Sequence, residues 1–524
     1  MPATQLSSGG GLCLPSPIWL RQIMAQNKWG IGWALLTLMT NACITDHPDG
    51  PGIRQENPAS FNEVASVDLG GSGAAEIAAY DPTTKHLFVV NNESTAKVDV
   101  LDLSAYPAVT KLPPIDVSAL GGVANSVAVR GGKLAIALEA TNKQANGSVI
   151  VINTATLTLI RQIEVGALPD MVTFSPDGAF IVTANEGEPS ADYANDPPGS
   201  ISIINAADNY RVKTLTFESF TASLPQLAAG GFRVYGPNAT LAQDVEPEYV
   251  TISPDSKKAW VTLQENNGIA EVDLVSGTIL RITPLGTIDR MVAGNAIDPS
   301  DRDNKISLGT WPVKSFLLPD AIDYFLVNGV GYLITADEGD AREYTAFDEQ
   351  VRVGSLNLDA TIFPNATNLK LPANLGRLRV TRTGGQTNNV YTTLYGFGGR
   401  GFSIYKASTG QRVYESGKSL EERVQGASLY DDDRSDDKGI EPEGVTVGLM
   451  NGKPIAFVGL ERADAVAVYD LSNPAAPEFL QLVRTGDAPE GVLFVSAQNS
   501  PNGRSMLVVS SEGDGTVKLY QPAN

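Results

Sequence analysis

Seven glutamates occupy the same place in seven similar segments, and this repeat is the feature that most limits how the chain can fold. They are Glu93, Glu139, Glu186, Glu265, Glu338, Glu461 and Glu512. Each follows a short apolar run rich in β-branched and aromatic residues, such as HLFVV or FIVTA, which is typical of a buried strand. One strand precedes each run, and one or two follow it. Four strands per repeat predict an all-β fold, a β-propeller with seven blades.

The chain ends just after the third strand of its last repeat, and residues 63–69 (EVASVDL) resemble the fourth strands of the other repeats. We therefore expect a ring closed by pairing of the N- and C-terminal strands in the last blade, which removes two exposed sheet edges. The predicted propeller spans residues 61–524 and carries an insertion at about 341–400.

Residues 1–43 are interpreted as an export signal region. The apolar stretch at 29–39 is too short to cross a bilayer and matches the hydrophobic part of a secretory signal, and we expect translation to start at Met24. Cys43 is the candidate lipidation site; ordinary cleavage beside an incidental cysteine is the alternative. Residues 44–60, rich in Pro, Gly, Asp and Asn, are predicted to form a flexible tether.

The composition excludes several function classes. Lys and Arg number 38 against 59 Asp and Glu, so the net charge is −21, which repels nucleic acid and anionic membranes. Contact with a membrane is expected only through a lipid anchor, and a monomer is expected. The two cysteines, Cys13 and Cys43, precede the propeller, and the two histidines, His47 and His86, do not fit a nucleophilic pair. Any catalysis would use carboxylates, Arg or Lys, and a metal.

Acidic residues also open most of the predicted first strands: Glu76, Asp170, Glu248, Asp320, Glu443 and Glu490. In a propeller these openings share a face with the ends of the second strands, so both sets are expected at one mouth of the central channel. Crowded carboxylates repel one another and favour a bound cation such as Ca²⁺. The alternative is that each repeated glutamate accepts backbone N–H groups and joins neighbouring blades.

Three segments depart from the repeat and supply the other site candidates. Residues 294–306 hold Asp298, Asp301 and Asp303 in an oxygen-rich spacing that suits Ca²⁺ without being an EF-hand; an acidic solvated turn is the alternative. A charged run before the sixth repeat could add metal ligands, or could be only a solvated loop. Its candidates are Asp436, Asp437, Glu441 and Glu443, together with Lys438.

The third segment is the insertion after Glu338. It contains Asp340 as a further metal candidate, and Arg342 and Arg400, whose guanidinium groups could hold a carboxylate or phosphate in a fork. With Lys438, these two arginines are the predicted anion contacts. The alternative is that Arg342 and Arg400 pair with local acids and fix the insertion in place.

Several motifs resemble the choice-of-anchor I family over about residues 61–524: PSDRDNKI, LPDAIDYF, YLITADEGDAREY, GFGGRGFSIY, SDDKGIEPEGV and DAPEGV. The resemblance implies a secreted or surface propeller whose anchor differs between members. Some members carry the names mesenchyme-specific cell-surface glycoprotein-like or atypical alkaline phosphatase. With no C-terminal anchor expected after Asn524, Cys43 is expected to do that job in this chain.

Three functions follow as hypotheses. The first is a lipid-anchored, exported propeller that binds a surface ligand at an acidic, Ca²⁺-binding channel mouth without turnover. The second is a Ca²⁺-dependent phosphomonoesterase on the same fold, in which carboxylates hold metal and Arg or Lys steadies a phosphorylated small molecule. The third is a structural adhesion module.

Overall fold

A computed structural model describes residues 55–523, so the predicted signal region, the start at Met24 and Cys43 lie outside the described residues. The regular secondary structure of the described chain is mostly β-strand with a few short helices, and the all-β prediction is confirmed. Its main elements are seven four-stranded sheets. Within a sheet, neighbouring strands are antiparallel and mostly consecutive in the chain, which is the pattern of β-propeller blades.

After an initial strand β1 (Phe61–Asp68), each of the first four sheets is built from four strands that are consecutive in the chain. The first sheet contains β2 (Ala78–Asp81), β3 (His86–Asn91), β4 (Lys97–Asp102) and β5 (Thr110–Asp116). The second contains β6 (Ala124–Arg130), β7 (Lys133–Leu138), β8 (Asn146–Asn153) and β9 (Thr158–Ala167). The third contains β10 (Pro169–Phe174), β11 (Phe180–Asn185), β12 (Ser200–Asn205) and β13 (Arg211–Leu215). After two short helices, α1 (Leu224–Ala229) and α2 (Leu241–Asp244), the fourth contains β14 (Pro247–Ile252), β15 (Lys258–Leu263), β16 (Gly268–Asp273) and β17 (Thr278–Pro284).

The fifth sheet is interrupted by additional structure. The short strands β18 (Thr287–Asp289) and β19 (Lys314–Phe316) precede β20 (Ile322–Val327) and β21 (Val330–Asp337). The segment 338–400 then holds helix α3 (Ala366–Leu369) and eight short strands: β22 (Glu343–Tyr344), β23 (Phe347–Asp348), β24 (Gln350–Arg352), β25 (Asn357–Leu358), β26 (Arg379–Thr381), β27 (Gln386–Thr387), β28 (Val390–Tyr391) and β29 (Tyr395–Gly396). The sheet resumes with β30 (Gly401–Lys406), which pairs directly with β21, and β31 (Gln411–Glu415).

The last two sheets follow helix α4 (Ser419–Gly426). The sixth contains β32 (Pro442–Met450), β33 (Lys453–Leu460), β34 (Ala465–Asp470) and β35 (Glu478–Arg484). The seventh contains β36 (Pro489–Val495), β37 (Met506–Ser511) and β38 (Thr516–Pro522), and its fourth strand is β1. The β1–β38 register runs antiparallel from Phe61 opposite Pro522 to Asp68 opposite Thr516.

The start of the described chain is bonded to the sheets rather than free. Glu56 lies 8% exposed and accepts a hydrogen bond from the backbone N–H of Ser505 at 2.8 Å. The amide of Gln481 both accepts from the N–H of Phe61 and donates to its carbonyl. The predicted tether at 44–60 therefore gives way, from about residue 55, to chain that is held against the sixth and seventh sheets.

The core lies between neighbouring sheets. Second strands such as β3, where Leu87, Phe88, Val89 and Val90 are all fully buried, are apolar on both faces because each sheet is covered on both sides. The first strands β2, β6, β10, β14, β20, β32 and β36 contact one another in that order, and β36 also contacts β2. Side chains of the first and seventh sheets share one hydrophobic cluster. Of the residues described, no helix is long and apolar enough to cross a membrane.

Candidate functional site

The first strands begin with a repeated backbone device that places their opening residues. In five sheets the pairing of the first and second strands is broken by a β-bulge at the opening residue. These residues are Asn125, Asp170, Glu248, Glu443 and Glu490. A bulge leaves one residue out of the ladder of hydrogen bonds and redirects its side chain. The side chains at these openings therefore do not follow the regular alternation between the two faces of the sheet.

The backbone just before the first strands also adopts the same conformation in several sheets. A non-glycine residue with positive φ stands two positions before the acid in four sheets, with proline between them. These residues are Leu168, Leu318, Glu441 and Ala488, with φ between +45° and +52°. The left-handed region is unfavourable for such side chains, so the sheets impose this turn and fix the direction of the first strand.

The opening residues line one cavity of 330 Å³, here named the mouth cavity. Its charged and amide lining residues are Asn125, Asp170, Glu248, Gln264, Asp320, Glu338, Asp340, Lys438, Glu443, Glu461, Arg462 and Glu490. The cavity shares Ile77, Met171 and Tyr249 with a second space of 370 Å³ that is lined along the first strands. The cavity therefore brings together five of the six opening acids, and of the repeated glutamates it is lined by Glu338 and Glu461.

Burial and mutual repulsion disfavour the charged form of these carboxyls. Burial, followed by the charges of Glu188 and Glu139, raises the pKa of Asp170 to about 7. Burial also raises the pKa of Glu76 to about 8, against a hydrogen bond from Asn92 that lowers it. The pKa values of Glu186 and Glu248 lie well above their usual range, for burial first and then for neighbouring carboxylates.

These raised pKa values predict how stability depends on pH in metal-free protein. Between about pH 4 and pH 8 the folded state keeps protons that the unfolded chain has released, so the stability falls as pH rises through this window. We expect a higher melting temperature at about pH 5.5 than at about pH 8, measured by circular dichroism on protein stripped of metal. A melting temperature that is flat or lower at the acidic end would contradict the repulsion.

Two groups of three carboxylates have oxygens that all lie within 4.8 Å of one another among the described residues. The first cluster is Asp170, Glu186 and Glu248, and the second cluster is Glu338, Glu441 and Glu461. Two oxygens that bind one Ca²⁺ at about 2.4 Å can be at most about 4.8 Å apart. Each cluster joins carboxylates from neighbouring sheets.

The two clusters differ in their counter-charges. The second is contacted by Lys438, Arg434 and Arg462. In the described part of the chain, no ion pair or hydrogen bond reaches the three carboxylates of the first cluster, and the nearby Lys143 pairs with Glu188 instead. The first cluster is therefore the one with free acidic oxygens.

The alternative role of the repeated glutamates, accepting backbone N–H groups to join neighbouring blades, is seen at one position. Glu93 accepts a hydrogen bond from the backbone N–H of Gly71 at 2.7 Å. Of the seven repeated glutamates, it is the one whose side chain accepts a backbone N–H of another residue within 55–523. A joint between blades therefore does not explain the repetition as a whole.

The candidate residues Asp298, Asp301 and Asp303 each have their own partners and belong to neither cluster. Asp298 is buried and accepts the backbone N–H of Ser300 and of Ser307. Arg377 holds both oxygens of Asp301 at 2.9 Å. Burial raises the pKa of Asp298 to about 6. A Ca²⁺ site in this loop stays a prediction.

Arg377 also contacts the second predicted acidic segment. Its guanidinium lies 3.1 Å from a carboxylate oxygen of Asp436, which Arg352 contacts as well. Asp437 faces Arg434 and Arg379 at 3.4 and 3.6 Å. These aspartates therefore take part in ion pairs that tie the charged run to the insertion. The role of Arg377 in these pairs was not predicted from the sequence.

Both predicted arginine anion contacts are buried and bonded inside the protein. Arg342 is 3% exposed; it donates to Asp244 at 2.7 Å and to Glu246 at 3.2 Å. Arg400 is 1% exposed and donates to the carbonyls of Asp298, Ser435 and Asp437 at 2.7–2.9 Å. This geometry favours the alternative in which they fix the insertion.

Lys438 is the predicted anion contact that reaches the mouth cavity. Its ammonium lies 2.8 Å from Glu338, 2.8 Å from Asp340 and 3.4 Å from Glu441. Burial lowers the pKa of Lys438, but these carboxylates outweigh it and raise the pKa well above its usual value. Glu443 lines the same cavity, and one of its oxygens is buried without a hydrogen-bond partner in the described structure.

A larger cavity, of 600 Å³, lies apart from the carboxylates of the mouth cavity, between the segment around α1 and the insertion. Its charged side chain is Arg233, which is bonded to Glu349 through two contacts of 2.9 Å. The charged group of this larger cavity is therefore already paired. The mouth cavity is lined by Asp170 and Glu248, which form no ion pair in the described residues, and we take it as the candidate site.

Comparison with known proteins finds one matching family model and similar proteins from two animals. The model of the choice-of-anchor I domain matches residues 76–474. Gigasin-3a of Magallana gigas is 30% identical over 181 residues, covering 28% of this chain and 64% of that protein. The mesenchyme-specific cell surface glycoprotein of Strongylocentrotus purpuratus is 26% identical over 384 residues, covering 62% of this chain and 47% of that protein. The matches thus span about half to two thirds of these relatives.

Among solved structures, hydrazine synthase of Kuenenia stuttgartiensis has a TM-score of 0.48 at 15% identity, covering 86% of this chain and 96% of that chain. The WD40 domain of Neurospora crassa Pan2 has a TM-score of 0.46 at 9% identity, covering 90% and 98%. These similarities bear on neither activity nor ligand.

Proposed function

Because the chain belongs to the choice-of-anchor I domain family, we propose that it is a surface-exposed, seven-bladed propeller that binds Ca²⁺, and through it a ligand, at the mouth cavity. Seven four-stranded sheets and the cyclic contacts of their first strands support seven blades. The pairing of β1 with β38 supports closure of the ring in the last blade.

The observation that carries the proposal is the first cluster. Asp170, Glu186 and Glu248 offer three carboxylates at distances that one ion can bridge, without an arginine or lysine bonded to them in the described chain. Ca²⁺ prefers carboxylate oxygens and accepts flexible geometry completed by water. A divalent cation would offset repulsion that otherwise forces these groups to retain protons.

A surface location is supported by the name of the Strongylocentrotus purpuratus relative, a cell surface glycoprotein. In this proposal the protein is exported and anchored through a lipid on Cys43. Globomycin-sensitive processing and labelling with palmitate test the anchor. Unlabelled protein with a new N-terminus elsewhere would contradict lipidation.

We propose binding without turnover rather than phosphomonoester hydrolysis. In the hydrolysis hypothesis, a free Arg or Lys beside the metal ion steadies the charge that develops on phosphate. Arg342 and Arg400 are bonded to internal acceptors, and Lys438 is bonded to carboxylates. The ligand therefore meets an acidic cavity, where a metal ion would be its principal positive contact.

Titration of metal-stripped protein with Ca²⁺ by calorimetry tests the proposal, with Mg²⁺ as the comparison cation. We expect one tight Ca²⁺ site, a higher melting temperature in Ca²⁺, and a weaker response to Mg²⁺, which demands stricter geometry. Binding strong enough for an extracellular module has Kd of about 1 mM or lower. No heat and no change in melting temperature at that concentration would overturn the proposal.

A further inference from the structure

The second cluster already contains a positive charge supplied by the chain. Lys438 is 9% exposed, and its ammonium contacts Glu338, Asp340 and Glu441. Both Lys438 and the carboxylates Glu338 and Glu461 line the mouth cavity, which Asp170 and Glu248 of the first cluster line as well. The two clusters therefore belong to one cavity but are neutralised differently.

Within the second cluster, Glu441 has a buried carboxylate oxygen that no hydrogen bond satisfies in the described structure. The Glu441 side chain is fully buried, and the unsatisfied atom is Oε2. The Lys438 ammonium lies 3.4 Å from Oε2, and Nε of Arg462 lies 3.5 Å from it. A buried carboxylate oxygen left this loosely contacted has room for a closer positive charge.

We propose that Lys438 is a tethered ammonium that fills a second cation site, made by Glu338, Glu441 and Glu461, and so limits the mouth cavity to one exchangeable divalent ion. The inference rests on the proposed function for the identity of that one ion. The ammonium stands 2.8–3.4 Å from its carboxylate oxygens, whereas Ca²⁺ would lie at about 2.3–2.6 Å. A small contraction of the cluster would suffice.

Removal of the ammonium leaves acids in excess. Arg434 and Arg462 both contact Glu441, and Arg462 also contacts Glu461, so Glu441 keeps two cationic partners and Glu461 keeps one. Among the described residues, Glu338 would keep only the amide of Gln264, at 2.8 Å. The resulting negative charge faces the same cavity that the first cluster opens into, so a cation can enter.

The experiment counts Ca²⁺ ions per chain by calorimetry in the wild type and in Lys438→Met, whose side chain has similar length and no charge. We expect the count to rise from one to two, and to return to one in Lys438→Met with Glu461→Gln. Lys438→Gln, which can donate to Glu338, repeats the test if the methionine variant does not fold. Folding of either variant only in Ca²⁺ also supports the inference.

The outcomes separate this inference from the proposed function. One ion in both the wild type and a folded Lys438 variant overturns the tethered ammonium and leaves the proposed function standing. No ion in the wild type and one in the variant supports the ammonium and overturns the proposed wild-type site. Two ions in the wild type, or none in either protein, overturn the inference.

Discussion

Replacement of Arg400 by methionine is expected to lower the free energy of unfolding by about 3–5 kcal/mol, the usual cost of breaking a buried ion pair on one side. Arg400 is almost completely buried beside Glu421, which is fully buried and lies 3.5 Å away. Without the guanidinium, the one hydrogen bond left to the Glu421 side chain within residues 55–523 comes from Tyr430 at 3.3 Å. Three backbone carbonyls also lose their donor.

Equilibrium unfolding in urea measures the loss, with Arg302→Met as the matched control. The Arg302 side chain is 58% exposed and pairs with Asp301 at 3.1 Å, so its removal should cost less than about 1 kcal/mol. If Arg400 instead contacted a ligand, the variant would lose binding while keeping its stability. Equal stability of the two variants would contradict the structural role.

The repeats could be predicted from the sequence because each carries its own local signal. Apolar runs, turn residues and the closing glutamate recur within each segment, so the strands and the acidic mouth did not require knowledge of distant contacts. The strand β1 was predictable for the same reason, since residues 63–69 resemble the outer strands of other repeats.

Charge partners could not be predicted because they come from distant parts of the chain. Arg342 is neutralised by Asp244 and Glu246, which precede it by 98 and 96 residues. Arg377 joins Asp301 to Asp436 across the insertion. From the sequence alone these arginines and aspartates could bind ligands, whereas in the fold they form ion pairs with acids or arginines of the chain itself.

Which of the carboxylates form the first cluster could not be predicted from the sequence either. Asp170, Glu186 and Glu248 occupy ordinary positions of their repeats. What distinguishes them is that their oxygens lie within 4.8 Å of one another and that no Arg or Lys of the described residues forms an ion pair with them. Glu338, at the position equivalent to that of Glu186, receives Lys438 from the charged run before the sixth sheet. The departures from the repeat thus neutralise one side of the mouth and leave the other side open.

Neutralising the first cluster is expected to abolish the response to Ca²⁺ while stabilising the metal-free protein. In Asp170→Asn with Glu186→Gln and Glu248→Gln, each amide keeps the shape of the acid and removes its charge. Ca²⁺ affinity should fall at least about a hundredfold, the upper end of what the loss of a single outer-shell partner costs. In chelator at about pH 8, the variant should melt above the wild type, because it no longer buries these charges or holds them against their mutual repulsion, the two causes of the raised pKa values.

The matched control is Glu93→Gln, which changes the equivalent glutamate of the first sheet, an exposed residue that belongs to neither cluster. It should retain wild-type Ca²⁺ affinity and should not raise the melting temperature in chelator. A triple variant that still binds Ca²⁺ with wild-type affinity would move the ion elsewhere in the molecule. A triple variant that loses Ca²⁺ and also melts lower in chelator would mean that these carboxylates stabilise the fold directly, so that their repulsion is not what the ion relieves.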